Sequence, residues 1–208
     1  MKVNCMRFLV FIIVWLWGIV PGSAQDNWDL RRNENGIAVY SRKVTNVSFK
    51  EIKVECELPG TSAQLVRIIK DVAHHPDWVY GVKEASILKK KSESNFIYHT
   101  QSDLPWPVAD RDLVAENIIY PSTPNGRVII AVHSLKDYLP KKNGYVRIPY
   151  SEASWDILPL PNNKIKITYI FRVDPGGTIP AWLVNATIAT GPYNSFVKLR
   201  EKLAVSQQ

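Results

Sequence analysis

The chain has 208 residues, of which 46% are hydrophobic and 22% charged, and a formal net charge of +7. That length supports one domain with a real core and excludes two comfortable ones. The basic residues are dispersed and interleaved with acidic ones, which argues against nucleic acid and favours an anionic membrane surface only weakly.

Residues 1–24 read as a cleaved secretory signal. Lys2 and Arg7 form a basic start, Phe8 to Val20 is almost wholly apolar, and Pro21-Gly22-Ser23-Ala24 offers small residues to a signal peptidase. The apolar run falls short of the roughly 20 residues needed to span a bilayer, although an uncleaved anchor is the alternative. Processing leaves residues 25–208, lowers the formal charge from +7 to +5 and removes Cys5. Cys56 then stands alone, so an internal disulfide is excluded.

From Asn27 the pattern predicts a short helical or irregular entry around Trp28 and Leu30, then a tight turn at Asn35-Gly36 into a strand over 37–41. Ile52, Val54, Cys56 and Leu58 alternate with Lys53, Glu55 and Glu57, the period of a strand with one wet face. Pro59-Gly60 stops it. Thr61 or Ser62 caps a helix whose apolar residues Leu65, Ile68, Ile69 and Val72 recur at helical spacing, and Pro76 is expected to end it. Strands follow over 85–90, 95–102, 112–120, 127–135, 145–158 and 164–173, separated by turn signals that imply antiparallel hairpins. Asp174-Pro175-Gly176-Gly177 breaks the last strand. Thr178 is placed to cap and Pro180 fits the first turn of a helix running to about Leu203, with a kink expected at Gly191-Pro192. The whole is an α+β domain in which a curved antiparallel sheet wraps around a long C-terminal helix.

Enzyme signatures are missing from the sequence. His74 and His75 adjoin at a helix end, point in different directions and have no second cluster to complete a metal site. No Gly-rich phosphate loop, Gly-x-Ser-x-Gly elbow or Cys-x-x-Cys pair is present, and no cofactor is implied. Cys56 has the parity of a packed core side chain. What stands out is the aromatic supply: five of the seven tryptophans, Trp28, Trp78, Trp106, Trp155 and Trp182, lie beyond the signal. Trp155 falls in a strand whose neighbour carries Tyr169 and Phe171. Whether such side chains fill the interior or line a pocket is open at this level.

Three segments together carry a resemblance: Pro76-Asp77-Trp78, then "LPWPVADRD" with Arg111-Asp112 opening a strand, then "DPGGTIPAWLVN" from Asp174 to Asn185. In that order and separation they resemble the START family of lipid-transfer domains, in a bacterial secreted form, over about residues 27–204. The resemblance implies a helix-grip fold, a tunnel for one lipid or other hydrophobic molecule, and a flap at the "LPWP" loop that gates it. It supplies no catalytic residue. In the steroidogenic branch a basic residue stands six positions beyond the Arg of Arg-Asp, and here that position is the uncharged Asn117.

The residues by themselves fit this scheme. On the strand after the loop, Arg111, Leu113, Ala115, Asn117 and Ile119 share one face, suited to a ligand wall. On the last helix Trp182, Ala186, Ala189 and Tyr193 recur at helical spacing, with close packing and no cavity as the alternative. Trp78, Trp106, His133, Trp155, Tyr169 and Phe171 complete the expected ligand contacts, and Trp106 is also the expected membrane contact. The reading is a non-enzymatic, monomeric lipid-binding or lipid-shuttling protein, exported to the periplasm or, alternatively, beyond the cell. An enzyme resembling cyclases or hydrolases on the same scaffold is the rival, with His133, His99, Tyr169 or Asp110 as its acid or base. A ligand-sensing module that docks a partner is the third reading.

Overall fold

A computed structural model of the chain describes residues 28–45 and 49–205. The expected export signal and the tail at 206–208 lie outside the described residues. Ten strands form one sheet: β1 (Asp29–Glu34), β2 (Ile37–Lys43), β3 (Lys50–Pro59), β4 (Val82–Ser92), β5 (Asn95–Ser102), β6 (Asp110–Ile119), β7 (Val128–Ser134), β8 (Tyr145–Arg147), β9 (Tyr150–Leu160) and β10 (Lys164–Asp174). Helix α1 (Ser62–Lys70), a 3-10 turn over Val72–His74 and the short α2 (His75–Trp78) connect β3 to β4, and α3 (Ala181–Val205) closes the chain. The spatial order is β1-β2-β3-β10-β9-β7-β6-β5-β4. Pairing is antiparallel throughout, except that β8 runs parallel beside β6.

Alternation along each strand sends one set of side chains beneath α3. Register then aligns these sets into rows across the sheet. Val39, Val54, Tyr169, Trp155, Ile130 and Ile119 form one such row, and Ile52, Phe171, Ala153, Val132, Asn117 and Phe96 form the next. Tyr193, Phe196, Leu199 and Leu203 of α3 are buried against the first strands and β10, with Leu199 and Leu203 at 0% exposure. Buried Cys56 sits in this core, where burial pushes its thiol up to about 12. It is a packing residue and not a nucleophile.

Four local expectations need correction. Residues 29–34 form a strand and not a helical entry, because Asn35 (φ 51°) and Gly36 (φ 74°) make the left-handed pair of a tight hairpin that folds β1 onto β2. Pro76 does not end α1. The helix stops at Lys70, and Pro76 occupies the first turn of α2, where its missing N–H costs nothing. The long strand expected over 145–158 is two strands, parted at Ile148-Pro149, where the Ile148 amide donates to the Asp112 carbonyl. Pro180 stands just outside α3, its carbonyl accepting from Leu183 and Val184. At α1 the cap is Thr61: its Oγ accepts from the Gln64 amide at 3.2 Å while Gln64 Oε1 accepts from the Thr61 amide at 2.8 Å.

Candidate functional site

A hollow of about 280 Å³ lies between α2, the middle of α3 and strands β9 and β10. Its walls are aromatic: Trp78 from α2, Trp155 from β9, Tyr169 and Phe171 from β10, and Phe196 from α3. Ring centroids 4.2 Å apart for Trp155–Tyr169, 5.6 Å for Trp155–Phe196 and 6.3 Å for Trp78–Trp155 show one continuous surface. Tyr80, half exposed, forms the rim with Gly191, Pro192 and Ser195. The rim explains the glycine in the helix. A Cβ at Gly191 would meet the Tyr80 ring at 3.1 Å, so its absence seats that ring against α3. Ser195 Oγ fixes the contact by accepting from the Tyr80 amide at 2.9 Å and donating to the Gly191 carbonyl at 3.1 Å.

The interior holds polar groups without protein partners. Trp78 Nε1 and Asn117 Nδ2 are buried donors with no acceptor, a condition few buried groups tolerate. Burial pushes the Tyr98 phenol up to about 12 and raises the Tyr169 phenol as well, with Tyr98 close enough to add to the second shift. Both rings keep part of their surface accessible while lying deep in the fold, as side chains around an internal space do. His75 packs edge-on against Trp78 and Tyr98 and bonds the Ile69 carbonyl at 2.9 Å. Burial lowers its pKa, so the ring is held neutral.

The flap, residues 103–109 between β5 and β6, is tied at its base and free at its tip. The Asp103 amide donates to the Gly81 carbonyl at 3.0 Å, one residue beyond the rim tyrosine. Lys83 bridges Asp103 at 2.5 Å and Asp110 at 3.0 Å, and these two carboxylates raise its pKa. Trp106, at the tip, is 91% exposed. Its indole therefore stands outside the hollow, which corrects the expected ligand contact at Trp106.

Arg111 is buried, but its guanidinium is spent on backbone. It donates to the Ala109 carbonyl at the end of the flap, to the Gly176 carbonyl at 3.0 Å and to the Pro175 carbonyl at 3.4 Å. Gly176 (φ 65°) and Gly177 (φ 61°) adopt left-handed backbone there, and a Cβ on Gly176 would lie 3.0 Å from Pro149 and 3.2 Å from the Arg147 carbonyl. The Arg-Asp and Asp-Pro-Gly-Gly segments, 62 residues apart in sequence, are thus one clamp joining the flap to the turn before α3. The following Asp112 faces the opposite way. Arg147 donates to both its oxygens at 3.0 and 2.8 Å and His99 Nε2 lies 3.0 Å from it. Burial works to raise that carboxyl, but Arg147 and His99 outweigh it and hold it below the usual carboxylate range.

The expected residues therefore divide. Trp78, Trp155, Tyr169 and Phe171 meet at the hollow. Leu113, Ala115 and Asn117 lie on the helix-facing side of β6, Leu113 half-buried, Ala115 fully packed and Asn117 2% exposed. Arg111 is corrected from ligand contact to clamp, because its donors are already used. His133 is corrected to the convex face: pairing with Glu116 and Glu152 puts it on the far side of β7, where its Nε2 lies 3.2 Å from Glu116 Oε2. Tyr193 is buried elsewhere, against the β1–β2 hairpin, with its hydroxyl accepting from Asn35 Nδ2 at 2.7 Å and Arg32 stacked 3.6 Å from its ring centre. Ala186 is exposed and Ala189 packs against the core. The Trp182 side chain lies outside the described ones. The stripe of α3 that reaches the hollow is Gly191, Pro192, Ser195 and Phe196, which the choice of the Trp182–Tyr193 stripe missed. A glycine and a proline in mid-helix were the available signal. A larger depression of about 430 Å³ on the convex face is lined by Glu51, His133, Glu152 and Arg172. Arg42 and Arg172 already pair with its glutamates, so it is a hydrated groove between ion pairs.

Comparison with known proteins adds a common pattern. The family model described as START domain matches residues 21–207. The phosphatidylcholine transfer protein of mouse is 25% identical over 178 residues, 84% of this chain and 82% of its own length. An uncharacterised protein of Pseudomonas aeruginosa is 27% identical over 89% of this chain and 91% of its own. The crystal structure of a STAR-related lipid transfer protein fragment from Xanthomonas axonopodis superposes with a TM-score of 0.79 at 30% identity, covering 86% of this chain and 99% of that one.

Proposed function

The chain belongs to the START domain family, and from that premise we propose that it holds one lipid or other hydrophobic molecule between its sheet and α3, without transforming it, and exchanges it with membranes. The observation that carries the reading is the hollow itself, walled by aromatic side chains, with the base of the flap tied one residue beyond its rim. Each methylene moved from water into such a space contributes about 0.8 kcal/mol, so an acyl chain supplies binding energy without a charged contact. Asn117, with its buried and unpartnered amide donor, serves as a polar anchor deeper in the sheet. Trp106 serves as the membrane contact, since an amphipathic indole is favoured at the interface between water and acyl chains.

The acid–base groups weigh against an enzyme. His99 is engaged with Asp112 and His133 with Glu116, both on the convex face, and Asp110 is engaged with Lys83. Tyr169 does border the hollow, but burial raises its phenol and keeps its proton in place at neutral pH. Residues 1–24 direct export, to the periplasm in the first instance, and the protein works there as a monomer.

Native mass spectrometry of the purified chain, followed by organic extraction, tests the proposal. One hydrophobic molecule per chain is the expected result. A protein that stays empty when incubated with vesicles of mixed phospholipid would end the lipid-carrier reading.

A further inference from the structure

The hollow carries chemical information beyond its greasiness. None of the residues that line it bears a formal charge, and its neighbour His75 is held neutral by burial. A carboxylate or phosphate placed inside would meet no counter-ion, at a cost of several kcal/mol. Yet the wall is not inert. The Tyr169 hydroxyl is bonded to no described residue, and neither is that of Tyr98 close to it. Ser195 is the other hydroxyl at the hollow, and both its donor and its acceptor functions are used within the rim. The protein's own acceptors are thus absorbed, while the Tyr169 O–H is left over beside an uncharged space, with that of Tyr98 near it.

We infer that this site selects its ligand by a neutral oxygen acceptor, an ester, amide or ketone carbonyl, which takes a hydrogen bond from the Tyr169 hydroxyl while the attached hydrocarbon fills the aromatic hollow. The inference rests on the lipid-carrier reading above and narrows it. A free fatty carboxylate is excluded by the missing counter-ion, and an anionic group must remain outside the rim at Tyr80. An alkane fits the walls but leaves the donors unpaired, and a site built to hydrogen-bond a group discriminates strongly against the analogue that lacks it.

Matched twelve-carbon probes separate the possibilities: methyl laurate, laurate and dodecane, each titrated into the full chain with its intrinsic tryptophan fluorescence as readout. Methyl laurate is expected to bind at least tenfold more tightly than either of the others. Tyr169→Phe removes one oxygen and no packing, and is expected to weaken methyl laurate about fivefold while leaving dodecane unchanged. Equal affinity for methyl laurate and dodecane, tighter binding of laurate, or a Tyr169→Phe effect shared by both neutral probes overturns the inference while leaving hydrophobic binding intact. If none of the three probes binds, the lipid-carrier reading fails with it.

Discussion

The two ends of the space beneath α3 are built to different standards. At one end Ile37, Val39, Val54, Leu58, Ile165, Ile167, Leu199 and Leu203 are at 0 to 1% exposure, a close-packed core between the last turns of the helix and the first strands. At the other, apolar residues on the same face of the sheet, among them Leu113, Val132, Tyr169 and Phe171, are only half-buried, and Val184 and Ala186 above them are exposed. One helix and one sheet thus provide both a clamp that fixes the fold and a space that is left unfilled. Stability can be concentrated where nothing has to enter, and an opening region can be drawn from the weakly packed remainder.

That division can be broken first at the packed end. Leu199→Ala should cost about 2–5 kcal/mol in urea unfolding, whereas Phe171→Ala at the hollow should cost about 1–2 kcal/mol for its partial burial and chiefly lower ligand affinity. Equal stability losses would erase the distinction. Next in size is the clamp between the two ends. Arg111→Met leaves three backbone carbonyls without their donor and should lower stability by about 1.5–3 kcal/mol; stopped-flow dilution into empty vesicles should show faster ligand release. An unchanged release rate would separate the flap from the helix.

Acid sharpens the contrast further, because neutral His75 lies beside the hollow wall. Its folded pKa is below the ordinary 6.5, so as pH falls through 6.5 the unfolded chain takes up the proton first and stability drops. The slope is at most about 1.4 kcal/mol per pH unit for one group. Thermal unfolding between pH 7 and 5.5 measures it, and His75→Gln should flatten the curve. Asp112, also lowered, adds its loss only at far lower pH. Smallest in stability is Trp106→Ala, within about 0.5 kcal/mol for an exposed side chain. Its effect should fall instead on vesicle binding and lipid exchange, both slowed several-fold.

How much of this was legible in the sequence depended on whether a signal was local. The alternation of Ile52 to Leu58, the Thr61 cap and the face shared by Leu113, Ala115 and Asn117 follow from period and turn chemistry alone. β1 was missed because Asp29 to Glu34 is a charged edge strand, exposed along nearly its whole length, with no apolar alternation to betray it. His133 was assigned to the wrong face because parity cannot be carried across the turn at 120–127: one residue of slip exchanges inside for outside. On α3 two adjacent stripes both read as apolar, and only the position of Tyr80 tells which one borders the hollow. Clamp and hollow arise from segments far apart in sequence, so the motif segments showed their presence without showing that Arg111 reaches the glycine turn.

The reach of Arg111 has one more consequence. Because a single guanidinium bonds both the end of the flap and the turn that launches α3, raising either cover leaves part of a buried charged group without its acceptors. The two behave as shutters on one bolt. Raising one cover costs part of that bonding and raising both costs all of it, so the flap and the turn are coupled through a side chain that neither of them contains.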